Sequence, residues 1–161
     1  MMGLSQSHLR AARRRGVTLL ELLVVVTLMG TLSTVVVTRY GRDIFGDIGA
    51  RSDAQKLWMD LQHARGVAIR NGTVVSVSFE KSSSGQYSGY KITEKSGSRQ
   101  IDVYERAQFG SDIVVTSTSA AVQFTFEGHA TSASTIKLKG PSRSWTLTIV
   151  PLSGSVRISE T

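Results

Sequence analysis

The pattern of hydrophobic residues predicts three parts in the chain, and the first is apolar on every side. Residues 17–38 contain one charged residue, Glu21, and are otherwise hydrophobic, small or hydroxyl-bearing. At about 1.5 Å per residue they would form a helix of about 33 Å, whereas the hydrocarbon core of a bilayer is about 30 Å thick. We therefore predict a membrane-spanning helix over residues 17–38.

The second part, residues 39–71, keeps the helical period but becomes one-sided. Its apolar positions recur three or four residues apart, at Ala54, Leu57, Trp58, Leu61, Ala64 and Ala68. This spacing predicts an amphipathic continuation of the helix that packs on a globular domain. On the solvated face we expect two ion pairs with four-residue spacing, Asp47 with Arg51 and Lys56 with Asp60.

The third part has a hydrophobic period of two and begins after Asn71-Gly72, a pair typical of a helix C-terminus. Apolar and polar residues alternate in about eight short segments, separated by breaks rich in glycine and serine. The segments are Val75–Phe79, Tyr90–Ile92, Ile101–Val103, Ile113–Val115, Val122–Phe126, Ile136–Leu138, Leu147–Ile149 and Val156–Ile158. The predicted fold is therefore α+β, a long N-terminal helix followed by an antiparallel β-domain over residues 73–161.

Positive charge is concentrated ahead of the predicted span. The chain has a formal net charge of +7, to which residues 1–16 contribute four arginines and no acid, at Arg10, Arg13, Arg14 and Arg15. Beyond the span, Arg39 and Arg42 are accompanied by Asp43 and Asp47. This asymmetry predicts a cytoplasmic N-terminus and an exported β-domain. Without the four arginines the net charge is +3, which weakens any argument for nucleic-acid binding from charge alone.

Glu21 requires an explanation, because a carboxylate in hydrocarbon is costly and needs a partner. A secretory signal peptide would have an uninterrupted apolar region followed by a small-x-small cleavage site, and no Ala-x-Ala follows Glu21 in the span. A plain anchor explains the length of the span but not its acid. Glu21 therefore indicates a function within the membrane.

The residues around Glu21 resemble a known processing signal. The run from Gly16 to Val26, GVTLLELLVVV, follows Arg13-Arg14-Arg15 and is similar to the class III signal of type IV pilins and type II secretion pseudopilins. The resemblance requires a basic leader, a glycine, a glutamate at a fixed offset and a long apolar run together. It implies a pilin-like fold and assembly into a fibre.

The same resemblance implies a role for each residue of the signal. Residues 1–16 would be a cytoplasmic leader, a prepilin peptidase would cut after Gly16, and the new amine of Val17 would be methylated. Glu21 would be the fifth mature residue and would pair with the N-terminal amine of a neighbouring subunit. A cationic amine is a suitable partner for a buried anion, because neither is tolerated alone in a low dielectric. Glu21 would then set the axial register between subunits, as a polar residue does in a coiled-coil core.

Two positions depart from the family pattern. Val17 stands where phenylalanine or methionine is more common, and Thr38 stands where many members have a proline that helps the helix bend during assembly. Thr38 is followed by Gly41, Gly46 and Gly49, each of which costs a helix about 1 kcal/mol relative to alanine. We hypothesise that these glycines supply the flexibility that the missing proline would have given.

The later part of the chain resembles one branch of this family. The run Leu61–Gly72, the run Phe124–Gly128 and the run Gly154–Ile158 are similar to the H-type minor pseudopilins and their FimT-like relatives. This resemblance implies a structural subunit of the type II secretion pseudopilus, near its tip or in its initiation complex, that assists export across the outer membrane. It implies a span in the bacterial inner membrane and a periplasmic β-domain. The implied partners are other pseudopilins through the N-terminal helix, and secreted cargo or the secretin.

An alternative is a FimT-like minor type IV pilin that binds DNA during natural transformation. Lys137, Lys139, Arg143 and Arg157 would form a basic patch, and Trp145 would stack on a base. Lysines that alternate with apolar residues are also typical of the exposed face of an ordinary strand. The sequence leaves both functions open at this point.

The sequence offers no support for catalysis. His8, His63 and His129 do not have the spacing of metal ligands, and the serines lie in turn-like clusters without a partnered base. We expect no enzyme activity, no cofactor and no metal site. The chain has no cysteine, so the exported domain must rely on its hydrophobic core rather than on disulfides.

Overall fold

The structure is a computed structural model that describes residues 17–96, 99–103 and 106–161. Arg13, Arg14, Arg15 and Gly16, predicted to form the end of the leader, lie outside the described residues. The chain divides into two compact units, Met1–Arg39 and Tyr40–Thr161. The described elements are α1 (Leu19–Asn71), β1 (Val74–Lys81), β2 (Tyr87–Ser96), β3 (Arg99–Asp102), β4 (Ala107–Gln108), β5 (Val114–Ser117), β6 (Ala121–Phe124), β7 (Ser134–Lys139), β8 (Ser144–Ile149) and β9 (Val156–Glu160).

In the first unit the helix is apolar and unburied. Helix α1 begins after Thr18, whose hydroxyl accepts the backbone N–H of Glu21 at 3.2 Å in an N-cap arrangement. The stretch Leu19–Thr38 contains 20 residues with a mean hydropathy of 2.2, and none of it is buried within the protein. Its length and composition are sufficient to cross a membrane, as the hydrophobic pattern predicted.

The second unit contains two antiparallel sheets. The first has the order β3-β2-β1-β6, with β4 also paired to β2, and the second has the order β5-β7-β8-β9. The predicted α+β fold is confirmed, with nine strands among the described residues where about eight were predicted. The extra strand is β4, which pairs with Gly89 and Tyr90 of β2. Two residues are too few to show an alternating pattern, so the sequence could not reveal it.

The hydrophobic core lies between the second part of α1 and the two sheets. The predicted helical stripe is buried at Ala54, Leu57, Leu61, Ala64 and Ala68. Trp58 is partly buried against this core, and its Nε1 donates to the carbonyl of Val156 at 2.9 Å. The sheets contribute buried side chains that include Val75, Val77, Phe124, Ile136, Leu138 and Leu147. The packing of the amphipathic stripe on the sheets is as predicted.

Helix α1 ends at Asn71, where Asn71-Gly72 predicted its C-terminus. Gly72 has a φ of 65°, and the N–H of Thr73 donates to the carbonyl of Ala68 at 3.1 Å. A glycine in the left-handed region followed by this hydrogen bond forms a Schellman motif. The Thr73 hydroxyl also donates to Glu94 of β2 at 2.8 Å, which links the helix end to the first sheet.

Phe126 does not continue the alternation that was predicted for it. Strand β6 ends at Phe124, and the chain then turns, with the N–H of Gly128 donating to the carbonyl of Thr125 at 2.8 Å. Gly128 has a φ of 83°, and Arg65 donates to its carbonyl at 2.9 Å. The inward position predicted for Phe126 was therefore wrong, and its side chain is 56% exposed.

The two ion pairs predicted on the solvated face of α1 are absent from the described structure, because their acids bond to the sheets instead. Asp47 Oδ1 accepts the backbone N–H groups of Ser142 and Arg143 at 3.0 and 3.1 Å. Asp60 Oδ2 accepts the hydroxyl of Tyr90 at 2.5 Å. The four-residue spacing predicted the wrong partners, since loops and strands approach this side of the helix.

Gly46 packs closely against the turn between β7 and β8. A Cβ atom on Gly46 would lie 2.5 Å from Cγ of Pro141, whereas a Cβ atom on Gly49 would meet nothing within 4 Å. Gly46 therefore permits a close approach, a role different from the flexibility hypothesised for it. The helix continues through both glycines.

Candidate assembly segment and basic face

The start of α1 places Glu21 in the first helical turn. Because Thr18 is the N-cap, the carboxylate lies at the positive end of the helix dipole, which favours a negative charge by about 0.3–1 kcal/mol. The carboxylate has no hydrogen-bond or ion-pair partner among the residues that the structure describes. Val17, four residues earlier, is 70% exposed. The geometry leaves the charge of Glu21 available to a group from outside the described chain.

The threonines of the span satisfy their hydroxyls on the helix itself, a feature that sequence reasoning missed. The four threonines after the N-cap residue Thr18 each donate to a backbone carbonyl three or four residues earlier: Thr27 to Leu23 at 3.0 Å, Thr31 to Leu28 at 2.9 Å, Thr34 to Gly30 at 2.9 Å and Thr38 to Thr34 at 3.0 Å. Polar groups in lipid must find such internal partners. These hydroxyls therefore do not require water, which leaves Glu21 as the one charge of the span to be neutralised.

The second sheet brings together three of the four basic residues considered for DNA binding. Strand alternation and register place Lys137 and Lys139 of β7 and Arg157 of β9 on the exposed face. Arg143 lies in the turn between β7 and β8, and its Nη1 donates to Glu160 Oε1 at 3.0 Å. Arg143 is therefore already partnered by an acid, and the patch is smaller than predicted.

Trp145 is part of the hydrophobic core and is only 4% exposed. It lies directly opposite Leu138 on β7, so its ring faces the same side as the buried leucine. Its predicted stacking on a nucleic-acid base was therefore wrong, because the ring is not accessible. The exposed face of the sheet has positive charge without this aromatic platform.

The two histidines that the structure describes lie on different elements. His63 is exposed on α1, and His129 Nδ1 lies 3.4 Å from Glu127 Oε2 at the surface. His8 lies outside the described residues. Within the described part of the chain, no group of three or more histidine, cysteine or acidic residues could hold a metal ion.

Comparison with known families gives two matches that cover different parts of the chain. The family described as type II transport protein GspH matches residues 53–153. The prokaryotic N-terminal methylation motif matches residues 11–37. No curated protein matches the chain.

Solved structures share the fold at low sequence identity. The minor pseudopilin EpsH from the type 2 secretion system of Vibrio cholerae has a TM-score of 0.58 and 12% identity, covering 68% of this chain and 95% of its own. A second EpsH crystal structure has a TM-score of 0.58 and 10% identity, with 71% and 97% covered. The type IV minor pilin FimU of Pseudomonas aeruginosa has a TM-score of 0.53 and 19% identity, with 68% and 91% covered.

The apolar N-terminal helix and the antiparallel sheets define a pilin-like, membrane-anchored subunit with a globular domain. Because the family model spans more than half of the chain, the chain belongs to the GspH family of type II transport proteins. This membership does not favour the FimT-like alternative, in which the basic face would capture DNA.

Proposed function

We propose that the chain is cut after Gly16, methylated on the amine of Val17 and assembled into a type II secretion pseudopilus. The span would lie in the inner membrane before assembly, with the β-domain in the periplasm. The N-terminal methylation motif over residues 11–37 supports this processing. The subunit would act near the tip of the pseudopilus or in its initiation complex, where it would assist the export of cargo through the secretin.

The unpartnered charge of Glu21 is the observation that carries this proposal. It lies in an unburied span whose other residues are uncharged, and no described residue neutralises it. An unpaired carboxylate in hydrocarbon costs several kcal/mol, so the assembled state must supply a cation. Cutting after Gly16 would create such a cation at Val17 of each subunit. Pairing Glu21 with the Val17 amine of a neighbour would neutralise both charges and set the axial stagger.

The unburied apolar side chains of the span also support the proposed assembly partners. The apolar side chains of Leu19–Thr38 are unburied, so other pseudopilins can pack along this helix once it leaves the lipid. The prepilin peptidase would meet the chain at Gly16, on the cytoplasmic side. No cofactor or catalytic group is required by this function.

Mass spectrometry of the N-terminus tests the processing step. The membrane-extracted protein should begin at an N-methylated Val17. Gly16→Ala should leave the leader attached, whereas Gly3→Ala, a change of the same kind within the leader, should be cut normally. A wild-type protein that retains residues 1–16 in cells with an active peptidase would contradict the proposal.

A further inference from the structure

Three large apolar side chains are exposed near the start of the second unit. Ile44, Phe45 and Ile48 are 58%, 71% and 59% exposed, and they lie within an arc of about 100° on α1, at about 3.6 residues per turn. Farther along the helix, Met59 and Ile69 are exposed singly, which is common at protein surfaces. Ile44, Phe45 and Ile48 together form an apolar patch, and a contiguous patch of this kind usually marks a contact surface.

Contacts with the second sheet keep the apolar patch facing outward. On the opposite side of the helix Ala50 is completely buried, and Gly46 packs against the turn between β7 and β8. Asp47 Oδ1 accepts the backbone N–H groups of Ser142 and Arg143 in the same turn. Rotation of the helix to bury the patch would break these contacts. The patch can therefore be covered only by a group from outside the second unit.

The chain itself keeps the apolar patch close to the membrane span. Ile44 follows Thr38, the last residue of the apolar stretch, by six residues. Six residues measure about 9 Å as a helix and about 20 Å when fully extended. A bilayer is about 40–45 Å thick with its headgroups and about 30 Å without them, which leaves about 5–8 Å of headgroup region on each side. While the span lies in a bilayer, Ile44 and Phe45 are therefore within reach of the lipid surface.

The charges around the apolar patch provide no attraction to acidic lipids. The charged side chains that border it among the described residues are Arg51, Asp43, Asp47, Asp112 and the ion pair of Arg143 with Glu160. The acids are in excess. An aromatic ring and two aliphatic side chains on one helix face are, however, suited to insertion where headgroups meet acyl chains. Contact with a membrane should therefore depend on apolar insertion and not on lipid charge.

We propose that the apolar patch docks on the surface of the bilayer in which the span lies, with its side chains inserted about 5–10 Å into the boundary between headgroups and acyl chains. This inference rests on the proposed function, because it concerns the subunit in the inner membrane before assembly. Lipid surrounds every copy at that stage, whereas a neighbouring subunit is in place only in the fibre. Withdrawal into a pseudopilus would uncover the patch, so the patch would oppose release until other subunits cover it.

Single cysteines can report whether the apolar patch is covered, because the chain has no cysteine of its own. The full chain with Phe45→Cys or Met59→Cys is reconstituted at low density in phosphatidylcholine vesicles, and its rate of reaction with a membrane-impermeant, negatively charged maleimide is measured. Phe45 is more exposed than Met59 in the protein alone, 71% against 55%, so without lipid contact position 45 should react at least as fast. Docking should reverse this order, with Phe45→Cys reacting about tenfold more slowly, because the thiolate must meet the reagent in water.

A matched variant removes the rest of the apolar patch. Ile44→Ser and Ile48→Ser, added to Phe45→Cys, should raise its rate of reaction to that of Met59→Cys. Both replaced side chains are exposed, so urea unfolding followed by tryptophan fluorescence should show an intact β-domain. The slow reaction of Phe45→Cys should persist at high salt and should not require phosphatidylglycerol in the vesicles, since apolar insertion is not screened by salt.

The outcomes separate this inference from the proposed function. Equal or faster reaction of Phe45→Cys in vesicles would overturn the docking and leave processing and assembly intact. Slow reaction that the two serines do not relieve would also overturn it, as would a rate that rises on dilution of the protein in lipid, since a second copy would then be the cover. A wild-type chain that does not remain in the vesicle membrane would contradict the proposed function and the inference together.

Discussion

The leucine side chains of α1 are exposed in the first unit of the chain and buried in the second. In the first unit Leu19 is 85% exposed and Leu28 is 56% exposed, whereas in the second unit Leu57 and Leu61 are completely buried. Both sets lie within α1. The second unit finds its partners within the chain, in two sheets. The first has none among the described residues, so lipid or other subunits must cover it.

This difference separates the residues that stabilise the fold from those for which we propose a role in assembly. Burial of apolar area stabilises a fold by about 25 cal/mol per Å², and only the second unit obtains this from its own chain. The exposed residues of Leu19–Thr38 should therefore affect incorporation but not the unfolding of the β-domain.

Replacing a leucine in each unit should give the largest contrast in stability. Leu57→Ala should lower the free energy of unfolding by about 2–5 kcal/mol, because it leaves a cavity in the core. Leu28→Ala should leave the unfolding of the β-domain unchanged. Urea unfolding of the full chain in detergent, followed by tryptophan fluorescence, measures both. Equal losses would show that the two units do not differ in this way.

Tyr90→Phe tests the polar contact between α1 and the first sheet. Tyr90 is buried and donates to Asp60 at 2.5 Å, so losing the hydroxyl should cost about 1.5–3 kcal/mol. Burial, then the hydrogen bond to Asp60 and the charges of Asp60 and Asp53, raise the pKa of Tyr90 above its ordinary value of about 10.

The raised pKa of Tyr90 fixes the pH dependence of this effect. The folded state keeps the hydroxyl protonated, whereas the unfolded chain ionises above about pH 10. The contribution of Tyr90 is therefore complete below pH 10 and is lost as the pH rises further, by about 1.4 kcal/mol per pH unit. The stability difference between wild type and Tyr90→Phe should shrink over this range. A constant difference from pH 8 to 11 would contradict the buried hydrogen bond.

Two glycines of α1 offer a smaller contrast within the second unit. Gly49→Ala should raise the free energy of unfolding by up to about 1 kcal/mol, since alanine is the better helix former and the space is open. Gly46→Ala should lower it by about 1 kcal/mol, because the new methyl group would clash with Pro141. Thermal unfolding measures both variants. The flexibility hypothesis would instead make the two glycines equivalent, with both alanines impairing assembly.

Most of the fold was predictable from local patterns. The apolar run Leu19–Thr38, the stripe through Leu57 and Leu61, and the helix end at Asn71-Gly72 each depend on residues close in sequence. The errors arose where contacts with residues distant in sequence determine the local conformation of the chain. Phe126 was assigned to a strand because its alternation was correct, but Gly128 and Arg65 turn the chain there.

The candidate site was predictable where the motif is local. The offset between Gly16 and Glu21 can be read from the sequence, and the role of Glu21 remains a prediction. The basic face was not predictable, because strand register and burial decide which side chains are accessible. Trp145 is in the core and Arg143 pairs with Glu160, neither of which has a local signal.

The incorporation of Glu21→Gln into pseudopili tests the central claim most directly. The variant keeps the size of the side chain but removes its charge, so the amine of a neighbouring Val17 would be left unpaired. We expect normal cutting, normal amounts in the membrane and an incorporation reduced by about a hundredfold or more, from a loss of about 3–5 kcal/mol. Asp43→Asn, which neutralises an exposed acid of α1 beyond the span, should assemble normally. Wild-type incorporation of Glu21→Gln would contradict the account.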